Sequence, residues 1–203
     1  MKSFIYALLL AIALVAITVT NVSAQIAPDN RMNFRAGSTG SILVGANSTD
    51  SKVGPSFGGS LGYGLGYGTT LYVESGYGWT NFQSVDGLKL VSIPVLAGVT
   101  YNFGSLLNSS IVQPYIGAAG GVFNYMLQKD GNTVSVSGNE QKTTSFGVEG
   151  IAGVSFKIND DVALDLRGNF DHAFSKRDNG NSLESQDWNN AGIGGGISYN
   201  VSF

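Results

Sequence analysis

Side chains alternate between two kinds over residues 191–203, and this alternation limits the fold more than any other part of the sequence. One phase of the two-residue period carries the apolar side chains Ile193, Ile197, Tyr199, Val201 and Phe203. The other phase carries glycine, serine and asparagine. A two-residue period predicts a β-strand whose two faces meet different environments. The strand ends on an aromatic residue, although chain termini are commonly frayed and solvated. A soluble edge strand that happens to end in phenylalanine is the alternative interpretation.

The segment before Gln25 has the layout of a secretory signal peptide. A short basic start is followed by residues 4–17, which carry no charged or strongly polar side chain, and small residues lead up to Ala24. We predict cleavage between Ala24 and Gln25, which leaves 25–203 as one exported domain. A retained membrane anchor is disfavoured, because the apolar run is shorter than the roughly 20 residues that a spanning helix needs.

The composition of the mature chain favours strands over helices. No later apolar run could form a transmembrane helix, yet mean hydropathy is slightly positive and only 12% of residues are charged. Alternating strands of a membrane barrel produce this combination, because their apolar residues never accumulate in one window. All 29 glycines follow Gln25, a density that disfavours helices and suits turns and a narrow barrel interior. The absence of cysteine excludes disulfides, and the absence of a basic patch argues against nucleic acid as a partner.

The pattern predicts an all-β fold, an eight-stranded antiparallel up-and-down transmembrane β-barrel. The predicted strands are 33–45, 56–67, 70–82, 88–103, 112–127, 143–158, 161–174 and 191–203. Tight turns at Gly68-Thr69 and Asn159-Asp160 and a moderate third at 102–111 alternate with longer polar loops. The long loops are Ala46–Pro55, Gln83–Gly87, Gln128–Lys142 and Ser175–Asn190. Short turns on one side and long loops on the other are typical of barrels in outer membranes.

The two strand faces indicate which side meets lipid. Beside the apolar phase, the other phase is mostly glycine, serine, threonine and asparagine, which an eight-stranded barrel can hold inside. A lipocalin-like barrel with the apolar phase inside is the alternative. The aromatic residues of the strands fall into two groups near the strand ends, which predicts two interfacial girdles. These groups include Tyr72, Tyr115, Phe123 and Tyr125.

The chain resembles the family of small outer-membrane β-barrels, which includes porin-like and opacity-type proteins, the OmpA transmembrane domain and OmpX. The resemblance rests on residues 92–103, 113–120 and 161–167 and on the closing strand. It implies location in the outer membrane and identifies Tyr199, Val201 and Phe203 as a C-terminal assembly signal. Members of such a family share a scaffold and differ in function.

Charged side chains on the small-residue face form the strongest candidate site. They are Glu74, Glu149, Lys157, Asp165 and Arg167, with Arg35 on the same face of the first strand. They could line a pore, supply an acid pair for hydrolysis, or fill the lumen with salt bridges. We favour salt bridges, because an unpaired buried charge costs several kcal/mol. We expect Lys157 and Asp165 to be near neighbours across a tight turn, and Arg167 to contact Glu74 or Glu149.

Two other motifs are weaker. The glycines of 62–66 resemble a phosphate-binding loop in number alone, since no helix follows them. His172 lies beside Asp171 and three residues before Ser175, which suggests a Ser–His pair in a lipid-modifying enzyme. Adjacent strand residues point to opposite faces, however, and one histidine without cysteine does not make a zinc site. An interfacial imidazole is the favoured interpretation.

These observations lead to three functional hypotheses. The first is a non-enzymatic outer-membrane barrel with a structural or surface-interaction role, adhesin-like or opacity-like, through its external loops. The second is a small porin-like channel, and the third is a lipid-modifying barrel enzyme. We expect no cofactor and no metal, and we expect a monomer. The expected partners are outer-membrane lipid, the barrel-assembly machinery and an unidentified surface ligand at the external loops.

Overall fold

Eight long strands dominate the computed structural model, which describes residues 31–44, 50–104, 111–136, 138–174 and 187–202. The strands are β1 Arg31–Val44, β2 Gly54–Gly66, β3 Thr69–Asn81, β4 Leu88–Asn102, β5 Val112–Lys129, β6 Lys142–Lys157, β7 Val162–Ala173 and β8 Trp188–Ser202. All eight predicted strands are present, with ends shifted by at most three residues. The predicted signal segment and the terminal Phe203 lie outside the described residues, so both remain predictions.

The strands form one closed antiparallel sheet. Each strand pairs with its neighbours in sequence, β4 pairs with β5, and β1 pairs with β8. The β1–β8 pairing extends from Arg31↔Ser202 to Val44↔Asn189, so the closing strand is used along its full described length. This topology is the predicted up-and-down barrel, and closure leaves no unpaired sheet edge.

Inward-facing residues that pair across neighbouring strands form rows, and these rows are inclined to the barrel axis. The row that starts at Asn33 on β1 passes through Tyr72 on β3 and Glu149 on β6 and returns to β1 at Leu43, ten residues further along. This stagger fixes the tilt of the strands and determines which inward residues stand at one height.

Apolar side chains cover the outside of the barrel. Outward residues such as Leu61, Val73, Leu166 and Ile193 are about 40% to 67% exposed, which suits contact with lipid. The inward positions carry glycine, serine and charged residues, together with a cluster of large buried side chains. The prediction that the small-residue phase faces the lumen is therefore correct.

A belt of glycine forms one wall of the lumen. Gly196, Gly37, Gly58 and Gly76 are consecutive cross-strand partners on β8, β1, β2 and β3. A Cβ atom on Gly58 would lie 2.8 Å from the carbonyl oxygen of Ser75, so the strands curve too tightly here for a side chain. The facing wall, on β4 to β8, carries the bulky residues Leu90, Leu96, Phe123, Tyr125, Ile151 and Trp188.

The bulky wall corrects the prediction of aromatic girdles. Tyr72, Tyr115, Phe123 and Tyr125 point into the lumen, where each is at most 8% exposed. Tyr115, Phe123 and Tyr125 on β5 fill the space that the glycine belt leaves on the opposite wall, and Tyr72 enters the lumen from β3. Other aromatic residues do form outward groups near the strand ends, where Phe57 and Tyr77 contact Trp79, Phe146 stacks on Phe174, and Tyr101 contacts Phe103.

The connections differ between the two ends of the barrel. The β2–β3 turn consists of Tyr67 and Gly68, both with positive φ, one residue before the predicted Gly68-Thr69. In the β6–β7 turn the Asn159 side chain accepts hydrogen bonds from the N–H groups of Asp161 and Val162. At the other end, the loop predicted over 128–142 contains the two-residue strands Asn132–Thr133, Ser135–Val136 and Asn139–Glu140.

Candidate functional site

The five charged residues singled out from the sequence all line the lumen. Glu74 on β3, Glu149 on β6, and Asp165 and Arg167 on β7 line a cavity in the external half. Lys157, at the end of β6, lines a second cavity in the half nearer the short turns. The period-two pattern places them there, because each belongs to the inward phase of its strand.

Arg167 joins two of the carboxylates. Its Nη1 and Nη2 donate to the two oxygens of Glu74 at 2.8 and 3.0 Å, and Nη2 also donates to Glu149 Oε2 at 2.8 Å. The guanidinium thus forms a bidentate contact with Glu74, the strongest geometry for such a pair. Only 3% of the Glu149 side chain is exposed, so this carboxylate depends on Arg167 for charge compensation.

Arg35 forms a second ion pair one layer closer to the short turns. Arg35 Nη2 lies 3.1 Å from Asp165 Oδ2, and its guanidinium lies 5.0 Å from the centre of the Tyr115 ring. Asp165 also accepts hydrogen bonds from the hydroxyls of Tyr115, at 2.6 Å, and Ser155, at 2.7 Å. Four polar groups from four strands therefore meet in the middle of the barrel.

Lys157 and Asp165 stand one inward position apart on paired strands, and the ion-pair partner of Asp165 is Arg35. Asp165 is the cross-strand partner of Ser155, whereas Lys157 is the partner of Ala163, one inward position nearer the turn. Within the described ranges, Lys157 makes no ion pair.

Asp171 also contributes a charged side chain to the lining of the external cavity, and it was not among the predicted charged residues of the lumen. It is the cross-strand partner of both Glu149 and Asn190. Its carboxylate accepts hydrogen bonds from the Asn169 amide at 3.0 and 3.1 Å and from the Asn190 amide at 3.3 Å. The sequence pattern could have identified Asp171, because it belongs to the same inward phase of β7 as Asp165 and Arg167.

The two ion-pair layers divide the lumen into two cavities. The external cavity has a volume of about 140 Å³ and the other of about 280 Å³. Arg35 and Ser60 contribute to the lining of both, so these side chains stand where the cavities meet. An eight-stranded barrel has an interior that its own side chains can fill.

The histidine faces away from these groups. His172 points outward, with Nδ1 2.6 Å from the Asn189 side-chain oxygen and its ring edge-on to Phe174 at 4.6 Å. Asp171 points inward from the next position, and Ser175 lies outside the described residues. In the described part of the chain, no three His, Cys, Asp or Glu residues cluster closely enough to hold a metal ion.

A closed barrel with a lipid-facing apolar exterior, short turns at one end and long loops at the other is an integral outer-membrane protein. The family model for the outer membrane protein beta-barrel domain matches residues 7–201, and the chain belongs to that family. Within the described ranges, no α-helix has the length and hydropathy of a membrane span. Comparison of the sequence with curated proteins finds no match.

Solved structures share the fold. The crystal structure of Neisserial surface protein A, NspA, aligns with a TM-score of 0.60 at 20% identity, over 83% of this chain and 96% of NspA. Two crystal structures of Ail, the attachment invasion locus protein of Yersinia pestis, align with TM-scores of 0.55 and 0.54 at 14% and 12% identity. The alignments cover 84% and 85% of this chain and 98% and 99% of Ail; one Ail structure holds the heparin analogue sucrose octasulfate.

Proposed function

We propose that this chain is a non-enzymatic surface protein whose barrel is a closed scaffold and whose external loops bind a ligand outside the cell. The observation that carries the proposal is the central pair of ion-pair layers. The Arg35–Asp165 pair stands where the two cavities meet, and Arg167 with Glu74 and Glu149 crosses the lumen in the external cavity. A lumen filled by its own charged side chains leaves the loops as the accessible working surface.

The described external loops support this role because hydrogen bonds connect them to one another. The backbone N–H of Ser84 donates to the Asp50 side chain at 2.7 Å, and the N–H of Asp130 donates to the carbonyl oxygen of Gly87 at 3.1 Å. Three successive loops thus form a connected platform, defined by residues 50–53, 82–87 and 128–142. Val53, Val85 and Val136 are exposed on this platform, and exposed apolar side chains suit contact with a partner.

The likeness to Ail also supports a surface-binding role. Ail is an attachment protein by name and has been crystallised with a sulfated sugar analogue. At such low identity the likeness concerns the fold, and the external loops of this chain have their own sequence. A monomer inserted by the barrel-assembly machinery is part of the proposal.

Replacing the hairpin formed by Ser135–Val136 and Asn139–Glu140 tests the proposal. Cells that express the chain are compared with cells in which residues 130–140 are replaced by Asn-Gly, and both are tested for adhesion to mucin-coated and matrix-coated surfaces. We expect the replacement to abolish adhesion while the barrel stays folded in the outer membrane. The control variant, Asp160→Gly, alters the β6–β7 turn at the opposite end of the barrel. Equal adhesion by the hairpin variant and the unaltered chain would contradict the proposal, as would a failure of the unaltered chain to promote adhesion.

A channel is the second candidate, and one observation favours it. The two cavities meet at Arg35 and Ser60, so a movement of the Arg35 side chain would join them. Uptake of small solutes into proteoliposomes distinguishes the two functions. A closed scaffold predicts uptake at the rate of protein-free liposomes, and Arg35→Ala is the variant expected to raise it.

A further inference from the structure

The external half of the lumen holds more carboxyl groups than cations. Among the described residues, Glu74, Glu149 and Asp171 line the external cavity together with the guanidinium of Arg167. The second arginine of this cavity is paired with a fourth carboxylate, Asp165. If the first three carboxyl groups were all ionised, three negative charges would face the one positive charge of Arg167. The two uncompensated charges would lie in a mostly buried layer, which is energetically unfavourable.

Two of these carboxyl groups contact each other. Glu149 on β6 and Asp171 on β7 are cross-strand partners, and both side chains line the external cavity. Directly opposed side chains on neighbouring strands have Cβ atoms about 4.5–5.5 Å apart. The two carboxyl groups lie within hydrogen-bonding distance of each other. The residues are only 4% and 7% exposed, so bulk water screens the contact poorly.

One oxygen of the pair lacks a hydrogen-bond partner. Glu149 Oε2 accepts a hydrogen bond from Arg167 at 2.8 Å. The oxygens of Asp171 accept from the Asn169 amide at 3.0 and 3.1 Å and from the Asn190 amide at 3.3 Å. Glu149 Oε1 is buried without a partner in the described structure. Because an ionised carboxylate has no hydrogen to donate, the contact with Asp171 becomes a hydrogen bond only when one of the two groups carries a proton.

We propose that Glu149 and Asp171 share one proton at neutral pH and so form a proton-binding site inside the closed lumen. The proton gives Glu149 Oε1 its missing partner and lowers the excess of negative charge around Arg167 from two to one. Two carboxyl groups in contact do not ionise together readily, because each disfavours the charge of the other. The proton belongs to the pair and not to either residue alone, since groups coupled this closely titrate together.

The shared proton makes the stability of the barrel depend on pH. In the unfolded chain both carboxyl groups are solvated, and both are ionised above about pH 5. The folded barrel then binds one proton more than the unfolded chain. Stability therefore falls as the pH rises, until the folded pair also releases its proton. One extra bound proton corresponds to about a tenfold rise in the unfolding equilibrium constant for each pH unit.

The other groups around the pair do not account for such a dependence near neutral pH. The charged or titratable side chains that face the pair are those of Arg167, Glu74, Tyr72 and Tyr125. Arginine and tyrosine ordinarily titrate far above neutral pH, and Glu74 is held by the two hydrogen bonds from Arg167. Histidine ordinarily titrates near neutral pH, so His172, the single histidine of the sequence, supplies the control variant His172→Gln.

Infrared spectroscopy detects the proton directly. The folded barrel is measured at neutral pH in a maltoside detergent, which has no carbonyl group. A protonated carboxyl group absorbs at a higher frequency than a carboxylate, and its band shifts in heavy water. We expect one such band in the unaltered chain and in His172→Gln. We expect no band in Glu149→Gln or in Asp171→Asn, because the amide introduced donates to the remaining carboxylate without a titratable proton.

Urea unfolding between about pH 6 and about pH 8 measures the linked stability. The unfolding equilibrium constant of the unaltered chain and of His172→Gln should rise by up to about tenfold for each pH unit. The constant for Glu149→Gln should stay within about twofold over the same range, because its folded state holds no extra proton. Heat-modifiable migration in detergent gels establishes that each variant is folded.

The unaltered chain alone can overturn the proposal, by showing no protonated-carboxyl band when folded at neutral pH. A band that persists in both Glu149→Gln and Asp171→Asn would assign the proton to another group. A pH dependence that disappears in His172→Gln would assign it to the histidine. A missing band, together with an unfolding midpoint that rises saturably with added calcium, would place a cation instead of a proton between the two carboxylates.

Discussion

Replacing Arg167 with alanine should destabilise the barrel more than replacing any other charged residue of the lumen. The guanidinium makes three hydrogen bonds, of 2.8, 3.0 and 2.8 Å, to Glu74 and Glu149. Its removal leaves two carboxylates facing each other, with side chains only 11% and 3% exposed. Breaking a buried pair by removing one partner costs about 3–5 kcal/mol, and water in the external cavity would place the loss at the lower end.

Urea unfolding in lipid vesicles measures this loss. Tryptophan fluorescence reports the transition, and the midpoint is expected to fall while its slope against urea stays constant, as for a change in stability alone. Lys157→Ala is the matched control, because Lys157 lines the lumen without an ion pair to a described residue. We expect Lys157→Ala to change the free energy of unfolding by less than about 0.5 kcal/mol.

A triple variant separates loss of charge compensation from loss of packing. Arg167→Ala combined with Glu74→Gln and Glu149→Gln leaves no ionised side chain in the layer, so most of the lost stability should return. The reasoning is refuted if Arg167→Ala unfolds within about 1 kcal/mol of the unaltered chain, or if the triple variant is no more stable than the single one.

Four further predictions follow from the fold and the sequence. Gly58→Val should prevent folding, because a Cβ would lie 2.8 Å from a backbone oxygen, whereas Gly150→Ala, with no atom within 4 Å, should be tolerated; heat-modifiable migration compares them. Tyr115→Phe should lower stability by about 1.5–3 kcal/mol in urea unfolding, because Asp165 loses a 2.6 Å hydrogen bond, and an unchanged midpoint would argue against that bond. Deletion of Phe203 should reduce insertion into the outer membrane, measured as the folded fraction in isolated membranes, and normal levels would contradict the assembly signal. Mass spectrometry of the membrane form should find Gln25 as the first residue, and retention of residues 1–24 would indicate an anchor instead.

Local pattern was sufficient to predict the strands and, apart from the buried aromatic residues, the face on which their side chains lie. Each strand of the barrel is long enough for a two-residue period to be unambiguous, and the inward position of Glu74, Glu149 and Arg167 follows from that period alone. The outward apolar face could be predicted for the same reason. The predicted strand ends differ from those of the structure by up to three residues. Turn residues such as Tyr67 adopt unusual backbone angles that no distinctive sequence marks.

Pairing across the lumen could not be predicted with the same certainty. The partner of Asp165 depends on the register of β7, β8 and β1, which are consecutive only in the closed barrel, and this register does not appear in the sequence. The ion pair of Arg35 with Asp165 was therefore not predicted. We predicted lipid-facing girdles that include Tyr115, Phe123 and Tyr125. The space that these side chains fill lies opposite the glycine belt, and it exists only once the barrel has closed.

Single-channel recording in planar bilayers tests the central claim, a lumen closed by its own ion pairs, most directly. The unaltered chain should give no steady conductance steps at moderate voltage. A variant with Arg35→Ser and Arg167→Ser should give steps, because the side chains between the two cavities are then removed. Steady conductance by the unaltered chain, unchanged in that double variant, would contradict the account and identify the protein as a channel.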